Sequence, residues 1–357
     1  MAVIGRRVVV APLGGTIACV PHPDGGVRPT SDATYMRAVL DAATRPAADL
    51  PRAELVSAPA VASAELDADG LVALTPQLGR EIDDGASGVV ITTGTDTLEE
   101  VAFVLDLLWD RPEPLVLTGA MRHGGLPGHD GPGNLRDALS VAAHPAARGQ
   151  GVLVTLAGQI HHAWQVRKAH SGALSGFESA ASGPAGSVQE DQVRFTASSV
   201  IDRPHVLPTA CGAINPVALV TATLGDDGRI LKTLLPLGYR GVVVQAMGGG
   251  SVPPTWVPRL ELLAATVPLV YARRTVTGPT LRSTYGGPGA ELDLRRIGLH
   301  PAGLLDGLKA RLMLALLLAA DAGAAEIGTA FAAFDEPGSA GRRTRIGVLA
   351  DASADRF

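Results

Sequence analysis

Short apolar runs recur through the first half of the chain, and each is followed by a glycine-bearing turn or a polar segment. The runs cover positions 8–13, 89–91, 115–117 and 152–156. After two of them, apolar residues recur at helical spacing, over 98–108 and 134–143. Strands that alternate with helices in this way are typical of an α/β fold with a mainly parallel sheet.

The second half of the chain repeats this alternation after an interruption. Between 180 and 216 the pattern breaks down into Ser, Gly and Pro, which predicts a peripheral hairpin followed by a linker. Further on, the pattern predicts strands at 217–221, 241–245 and 269–271 and helices at 256–265 and 304–320. We therefore expect a larger N-terminal α/β domain at 1–200 with flanking helices, a linker at 201–216, and a smaller C-terminal α/β domain at 217–357.

Two helix ends carry capping signals. Thr97 is followed three residues later by Glu100, which predicts a capping box at the start of the helix over 98–108. Gly85 stands just past the helical pattern at 71–83, where a C-terminal glycine belongs.

The overall composition excludes several classes of protein. Hydrophobic residues make up 46% and charged residues 18% of the 357 positions, which excludes a largely disordered chain. A formal net charge of −5 offers no basic excess for a phosphate backbone, so we expect no nucleic-acid partner. The longest apolar run near the C-terminus, 312–320, is too short to span a bilayer, so we expect no membrane partner.

The N-terminal segment allows two interpretations. Two arginines at positions 6 and 7, the apolar run at 8–13 and Cys19 loosely match a lipoprotein signal that ends at its cysteine. The run is short, however, and Gly14 and Gly15 interrupt it before the cysteine. We favour a buried first strand and expect a cytoplasmic enzyme.

Polar clusters follow three of the predicted strands, at the sheet edge where ligands bind in parallel α/β folds. Their sequences are GGTIA at 14–18, TTGTDTLEE at 92–100 and TGAMR at 118–122, the last followed by DGPGN at 130–134. For any one cluster taken alone, a role in capping helices and forming turns explains the residues as well as ligand binding does. No GxGxxG opens the first helix and no GxxxxGK[ST] occurs, which disfavours the common nucleotide sites.

Taken together and in this order, GGTIA and TGTDTLEE resemble the signatures of the bacterial-type L-asparaginase family. The resemblance covers TGAMR and DGPGN and continues more loosely to about position 335. It implies hydrolysis of the side-chain amide of L-asparagine to L-aspartate and ammonia through a threonine nucleophile. It also implies that the enzyme uses no metal or organic cofactor and assembles as a homodimer or homotetramer.

The resemblance also implies roles for particular residues. Thr16 matches the family's nucleophile, while Thr95, Asp96 and Lys168 match its catalytic relay, and Ser63 matches the serine that holds the substrate's α-carboxylate. The implied substrate-binding residues are Gly15, Ser63, Gly94, Thr95, Asp96 and Ala120. Which threonine attacks first is left open.

These residue types suit the chemistry of amide hydrolysis. A carboxamide is a poor electrophile and a neutral hydroxyl a poor nucleophile, so the site must activate both. A lysine removed from water can lose its proton, unlike arginine, and this chain has only three lysines, at 168, 232 and 309. Backbone N–H groups near Thr95 and Ala120 are candidates for stabilising the tetrahedral oxyanion.

The chain departs from the family pattern at several positions. The loop at 21–29 lacks the family's tyrosine, and the first tyrosine, Tyr35, falls in a predicted helix. Ala64 stands where many members carry a polar residue. The turn at 248–251 resembles a family segment that enters the neighbouring subunit's site, and Ser251 stands roughly where well-studied members carry Asn. Tyr285 stands near a position where some members carry Glu, so the resemblance implies that both contribute to a partner's site. The choice between asparagine and glutamine is therefore left open.

Several alternatives remain at this point. Within enzymes they are a broader glutaminase-asparaginase, another short-amide hydrolase, and the amidase subunit of an archaeal-type tRNA-dependent amidotransferase. We disfavour the last because that subunit carries an additional N-terminal domain, whereas the first strand here begins at about Arg7. Outside enzymes, the chain suits a non-catalytic binder of asparagine or aspartate. His161, His162 and His170 lie near Lys168, but we expect packing roles rather than a metal site.

Overall fold

The computed structural model forms two compact units, Met1–Ser198 and Ser199–Phe357. It describes residues 6–30, 32–45, 50–58, 61–196, 205–206, 214–335 and 345–346. Most of the predicted linker, 201–216, lies outside the described residues, so the predicted boundaries of that linker stay a prediction.

The first unit alternates strands and helices as the apolar pattern predicts. Its strands are β1 (Arg7–Pro12), β2 (Cys19–Pro21), β3 (Val27–Pro29), β4 (Arg52–Leu55), β5 (Gly88–Thr92), β6 (Leu115–Thr118), β7 (Val152–Leu156), β8 (Gln159–His162), β9 (Arg167–Lys168), β10 (Phe177–Glu178), β11 (Gly186–Gln189) and β12 (Gln192–Phe195). Its helices are α1 (Ala33–Ala43), α2 (Ala68–Asp83), α3 (Leu98–Leu108) and α4 (Gly131–Ala143).

Eight of these strands form one sheet in the order β12-β11-β8-β7-β6-β5-β1-β4. The strands from β4 to β7 pair in parallel, and β8, β11 and β12 pair antiparallel at one side. Val8, Val9 and Val10 of β1 are fully buried, since helices cover both faces of the parallel part. The mainly parallel sheet and the hairpin within 180–216 are thus confirmed.

The strand order explains why the polar clusters converge. β6, β5 and β1 are adjacent and parallel, so their carboxyl ends lie side by side at one edge of the sheet. Each is followed directly by one of the three clusters. Within the loop at 21–29, Pro21 and Val27–Pro29 belong to a small antiparallel hairpin of β2 and β3 beside the first cluster.

The second unit is built around a four-stranded parallel sheet in the order β14-β15-β16-β17. Its strands are β13 (His205–Val206), β14 (Val217–Thr221), β15 (Gly241–Ala246), β16 (Leu269–Arg273), β17 (His300–Asp306) and β18 (Arg345–Ile346). Its helices are α5 (Val257–Ala264), α6 (Glu291–Arg296), α7 (Gly307–Ala319) and α8 (Ala324–Ala332).

One helix prediction in this unit is wrong at its start. The residues 304–306, assigned to a helix from sequence, end strand β17, and the helix begins at Gly307. Asp306 marks the boundary, because its carboxylate accepts the Lys309 N–H at 3.0 Å as an N-cap. Apolar residues stand on both sides of Asp306 and Gly307, so hydrophobic periodicity alone does not place the boundary.

Helix α7 is buried on nearly all sides, in line with its mostly apolar sequence, which Lys309 and Arg311 interrupt. In the part of the chain that the structure describes, no helix combines the length and apolarity needed to cross a membrane.

Candidate active site

The first cluster begins with two glycines in left-handed backbone conformation. Gly14 and Gly15 follow β1 with φ of 96° and 82°. A Cβ at Gly14 would collide with the Val61 carbonyl, and one at Gly15 with the backbone of Gly94. Only glycine fits such a close backbone approach. Thr16, partly exposed, follows and begins a short 3₁₀ helix, Thr16–Ala18.

Gly94 brings the second cluster against both Gly15 and Ser63. A Cβ placed on Gly94 would stand 2.8 Å from Ser63 Oγ and 3.3 Å from the Gly15 Cα. Thr16 and Thr95 are therefore the residues that follow two glycines in contact. The structure brings Gly15, Ser63 and Gly94 together, although 79 positions separate the two glycines in sequence (94 − 15).

The side-chain nitrogen of Lys168 links the second cluster to β9. Its Nζ donates to Thr95 Oγ1 at 2.9 Å and to Asp96 Oδ1 at 2.7 Å. Thr95 is buried at 6% exposure, whereas the Asp96 side chain is 80% exposed. The structure thus places a hydroxyl, an amine and a carboxylate in one hydrogen-bonded group that opens to solvent on the Asp96 side.

The third cluster is held in place by the segment that follows it. Asp130 accepts the N–H groups of Met121 at 3.0 Å and Arg122 at 2.8 Å. Asn134 donates to the Gly119 carbonyl at 3.0 Å. Ala120 lies in this loop and is fully buried, and its part in substrate binding stays a prediction.

Gly119 connects the third cluster to the group around Lys168. A Cβ on Gly119 would stand 3.3 Å from Thr95 Cγ2, so the loop that carries Ala120 packs directly against Thr95.

The predicted capping box at Thr97 is wrong. The Thr97 side chain makes no cap bond to helix α3, and its hydroxyl donates instead to the Ser63 carbonyl at 3.1 Å. A tertiary partner competes with the local cap and wins, which local spacing does not reveal.

Glu99 is a residue that the sequence reasoning missed. Its carboxylate, in a residue 7% exposed, accepts the backbone N–H of Lys168 at 2.8 Å. A charged residue on the buried side of the first turn of α3 was the available signal, because carboxylates are seldom buried without partners.

Comparison with known proteins identifies the family of this chain. The family model described as Asparaginase, N-terminal, matches residues 7–201, and the model described as Glutaminase/Asparaginase C-terminal domain matches residues 216–331. The chain belongs to the asparaginase family. The family predicted from the two motifs is thereby confirmed.

Individual relatives of this asparaginase-family chain extend over most of its length. A protein named probable L-asparaginase from Deinococcus radiodurans is 37% identical over 87% of this chain and 92% of its own. A probable periplasmic L-asparaginase from Haemophilus influenzae is 35% identical over 65% of this chain and 66% of its own. The crystal structure of a probable cytoplasmic L-asparaginase from Campylobacter jejuni matches with a TM-score of 0.78 and 26% identity, covering 92% of this chain and 99% of that one.

Tyr35 lies in α1, as predicted, and its side chain reaches the segment that follows Thr16. Its hydroxyl donates to the Cys19 carbonyl at 3.2 Å, and Cys19 Sγ donates to the Gly15 carbonyl at 3.2 Å. Burial raises the pKa of both Tyr35 and Cys19 above their ordinary values, so both hold their protons at neutral pH. Cys19 is therefore a packed, protonated thiol.

The histidines near Lys168 have local partners. His161 is buried and hydrogen-bonded through Nδ1 to Ser179 Oγ at 3.0 Å, and burial lowers its pKa to about 4. His170 Nδ1 accepts the N–H groups of Gly172 and Ala173. Among the described residues, no group of three or more His, Cys, Asp or Glu is arranged to hold a metal ion.

Ser251 and Tyr285 belong to neighbouring segments of the second unit. The turn ending at Ser251 meets the other segment where the Leu281 N–H donates to the Gly249 carbonyl at 2.7 Å. The buried Glu291 carboxylate accepts the Tyr285 N–H, and the Tyr285 side chain is 57% exposed. Their role in a partner subunit's site stays a prediction.

Proposed function

We propose that this chain is an L-asparaginase that hydrolyses the side-chain amide of L-asparagine to L-aspartate and ammonia. The observation that carries the proposal is the group formed by Lys168 Nζ, Thr95 Oγ1 and Asp96 Oδ1, with contacts of 2.9 and 2.7 Å. Membership of the asparaginase family supports it, as do the names of the relatives.

In the proposed reaction, Thr16 Oγ1 attacks the amide carbon and its proton passes to the amide nitrogen. Ammonia leaves, and an ester between substrate and Thr16 remains. Water then attacks this ester, releases L-aspartate and returns the proton to Thr16. Thr95 and Lys168 carry protons through their 2.9 Å contact.

The substrate's own charges fit the remaining site residues. Asp96 presents a largely exposed carboxylate, which suits the α-ammonium group. Ser63, packed against Gly94, offers its hydroxyl to the α-carboxylate. Backbone N–H groups beside Thr95 and at Ala120 are assigned to the oxyanion, because the loop carrying Ala120 is held against Thr95.

The same groups serve the reverse assignment, in which Thr95 attacks first. Acid quenching during turnover followed by peptide mass spectrometry distinguishes the two orders. An acyl group on the peptide containing Thr16 supports the order proposed here, whereas one on the peptide containing Thr95 overturns it.

A broader glutaminase-asparaginase is the second candidate. It is favoured by the family model of the second unit, whose description includes glutaminase activity. Ala64, an exposed small residue beside Ser63, bears on this choice because a small side chain leaves room for a longer amide. Turnover of L-glutamine at a rate comparable to L-asparagine would favour it.

We also propose a homodimer or homotetramer in which Ser251 and Tyr285 complete a partner's site. The exposed Tyr285 ring supports this arrangement. Light scattering measures the assembly, and mixing a Thr16→Ala protein with a Tyr285→Ala protein tests site sharing by recovery of activity. The cytoplasm is proposed as the location because the structural relative from Campylobacter jejuni is named a cytoplasmic enzyme, and cell fractionation tests it.

The activity is tested by ammonia release from L-asparagine and L-glutamine. We expect Thr16→Ala, Thr95→Val and Lys168→Met each to lose at least about 1,000-fold in kcat. Lys232→Met, which removes an exposed lysine on the second unit, is the control and keeps wild-type activity. A folded wild-type protein that binds aspartate but turns over neither amide would replace the proposal with a non-catalytic binder.

A further inference from the structure

We propose that Thr97 and Glu99 are positioning residues, each of which fastens one distant part of the site to the TGTDTLEE segment. Thr97 holds the segment carrying Ser63, and Glu99 holds the strand carrying Lys168. The inference rests on the proposed function, because it assigns those two segments to substrate binding and to proton transfer.

The Thr97 contact joins two segments that lie 34 positions apart. Ser63 begins a single 3₁₀ turn, Ser63–Glu65, a short element with little hydrogen bonding of its own. The Thr97 hydroxyl reaches the Ser63 carbonyl at 3.1 Å and makes no bond within its own helix. The side chain thus holds Ser63 beside Gly94 rather than capping α3.

The Glu99 contact spans 69 positions. Lys168 lies on β9, a two-residue strand that pairs with β10 in a small sheet separate from the main one. The bond from the Lys168 N–H to the Glu99 carboxylate, at 2.8 Å, connects this hairpin to the first turn of α3. A charged acceptor strengthens such a bond, and burial keeps water from competing for it.

Both contacts start from the segment that also contains Thr95 and Asp96. The Lys168 backbone must stay at one distance from that segment for Nζ to reach both of those side chains. The Ser63 hydroxyl must likewise keep its position relative to Asp96, so that the two can bind the α-carboxylate and the α-ammonium group of one substrate. One short segment therefore sets the relative position of the binding and the proton-transfer groups.

The two tethers predict different kinetic changes. Loss of the Thr97 hydroxyl displaces a substrate-binding group and raises KM, with kcat retained. Loss of the Glu99 acceptor displaces Lys168 and lowers kcat, with KM retained. A purely structural role would change both constants together, or lower the amount of folded protein, in the same way for each variant.

For Thr97, the test compares Thr97→Val with Thr97→Ser. Valine has the same shape without the hydroxyl, and we expect KM for L-asparagine to rise about fivefold, the loss of one ordinary hydrogen bond. Serine keeps the hydroxyl, so Thr97→Ser is expected to restore KM. An unchanged KM in Thr97→Val would overturn the assignment.

For Glu99, the test compares Glu99→Met with Glu99→Gln. Methionine is of similar length but offers no oxygen acceptor, and we expect kcat to fall about 10- to 100-fold because Lys168 shifts. Glutamine keeps an oxygen acceptor and is expected to keep most of kcat. Glu178→Gln removes an exposed carboxylate from the same hairpin and is the control. Equal losses in Glu99→Gln and Glu99→Met would overturn the hydrogen-bond role.

If Glu99→Met does not fold, Glu99→Asp takes its place. Aspartate keeps the charge but is one methylene shorter, so a lower kcat with an unchanged melting temperature supports the tether and wild-type kcat overturns it. Wild-type turnover is measured first and decides the proposed function separately. If the wild type is inactive yet binds L-aspartate, weaker binding by Thr97→Val still supports its tether, and unchanged binding refutes it.

Discussion

Glycines follow strands at the carboxyl edges of both parallel sheets, but they make different kinds of contact there. After β1, Gly15 packs on the backbone of Gly94, and Thr16 and Thr95 are the residues that follow these two glycines. After β15, a Cβ on Gly249 would stand 2.7 Å from Leu281 Cγ, and one on Gly250 would stand 3.0 Å from the Tyr271 ring. The first contact joins backbone to backbone, and the second closes backbone over apolar side chains.

The buried polar side chains at the two edges also differ in the partners to which they bond. Lys168 bonds to two side chains, one of them the exposed Asp96. Arg273, at the end of β16, is 7% exposed and donates to the backbone carbonyls of Thr275, Val276 and Leu304. A polar group bonded to side chains can exchange protons and partners, whereas one enclosed by carbonyls serves the fold.

The largest expected effect concerns the glycine contact. Gly15→Ala should lower kcat/KM at least about 100-fold, because the new methyl forces the Thr16 turn away from Gly94. Gly85→Ala is the control, since Gly85 has φ 91° with no atom within 4 Å of an added Cβ. It should cost about 1 kcal/mol of stability from its left-handed backbone and leave activity unchanged. Retained activity in Gly15→Ala would break the contrast between the two edges.

The second test addresses the enclosed arginine. Arg273→Met leaves three carbonyls without their donor, and we expect the free energy of unfolding to fall by about 3 kcal/mol. Arg229→Met, which removes an exposed ion pair with Asp227, should change stability by less than about 0.5 kcal/mol. Urea denaturation measures both. Equal midpoints for the two variants would refute a structural role for the Arg273 contacts.

The smallest expected effect is on the pH dependence of stability, to which buried groups of the two units contribute differently. Burial lowers the pKa of His161 in the first unit to about 4 and raises that of Tyr271 in the second to about 12. Below pH 6.5 the unfolded chain takes up a proton that folded His161 does not, so the contribution of His161 to stability falls as pH drops from 6.5 towards 4. The loss reaches about 2 kcal/mol at pH 5, whereas Tyr271 contributes nothing in this range.

Thermal denaturation from pH 8 to pH 5 measures this loss. His161→Gln should lose less melting temperature than the wild type between pH 8 and pH 5, since glutamine does not titrate. Parallel curves for the two proteins would show that His161 is not the group responsible.

Local patterns and motif order were enough for much of the fold and of the candidate site. Alternating apolar runs predicted the parallel sheet, and placed Thr16 and Thr95 after strands that prove to be neighbours. Two predictions made from local signals were wrong. The Thr97 spacing predicted a cap that the side chain does not make, and the apolar pattern predicted a helix from 304 that begins at Gly307.

The sequence by itself determined which strands carry polar ends, which glycines turn the chain and which family the motifs resemble. Strand order, the Glu99 contact to Lys168 and the Thr97 contact to Ser63 were decided only in the tertiary structure. The physical reason is the separation along the sequence over which each kind of signal acts. Periodicity and capping report on residues within a few positions of one another, whereas these contacts join residues 34 to 69 positions apart and depend on how whole elements pack.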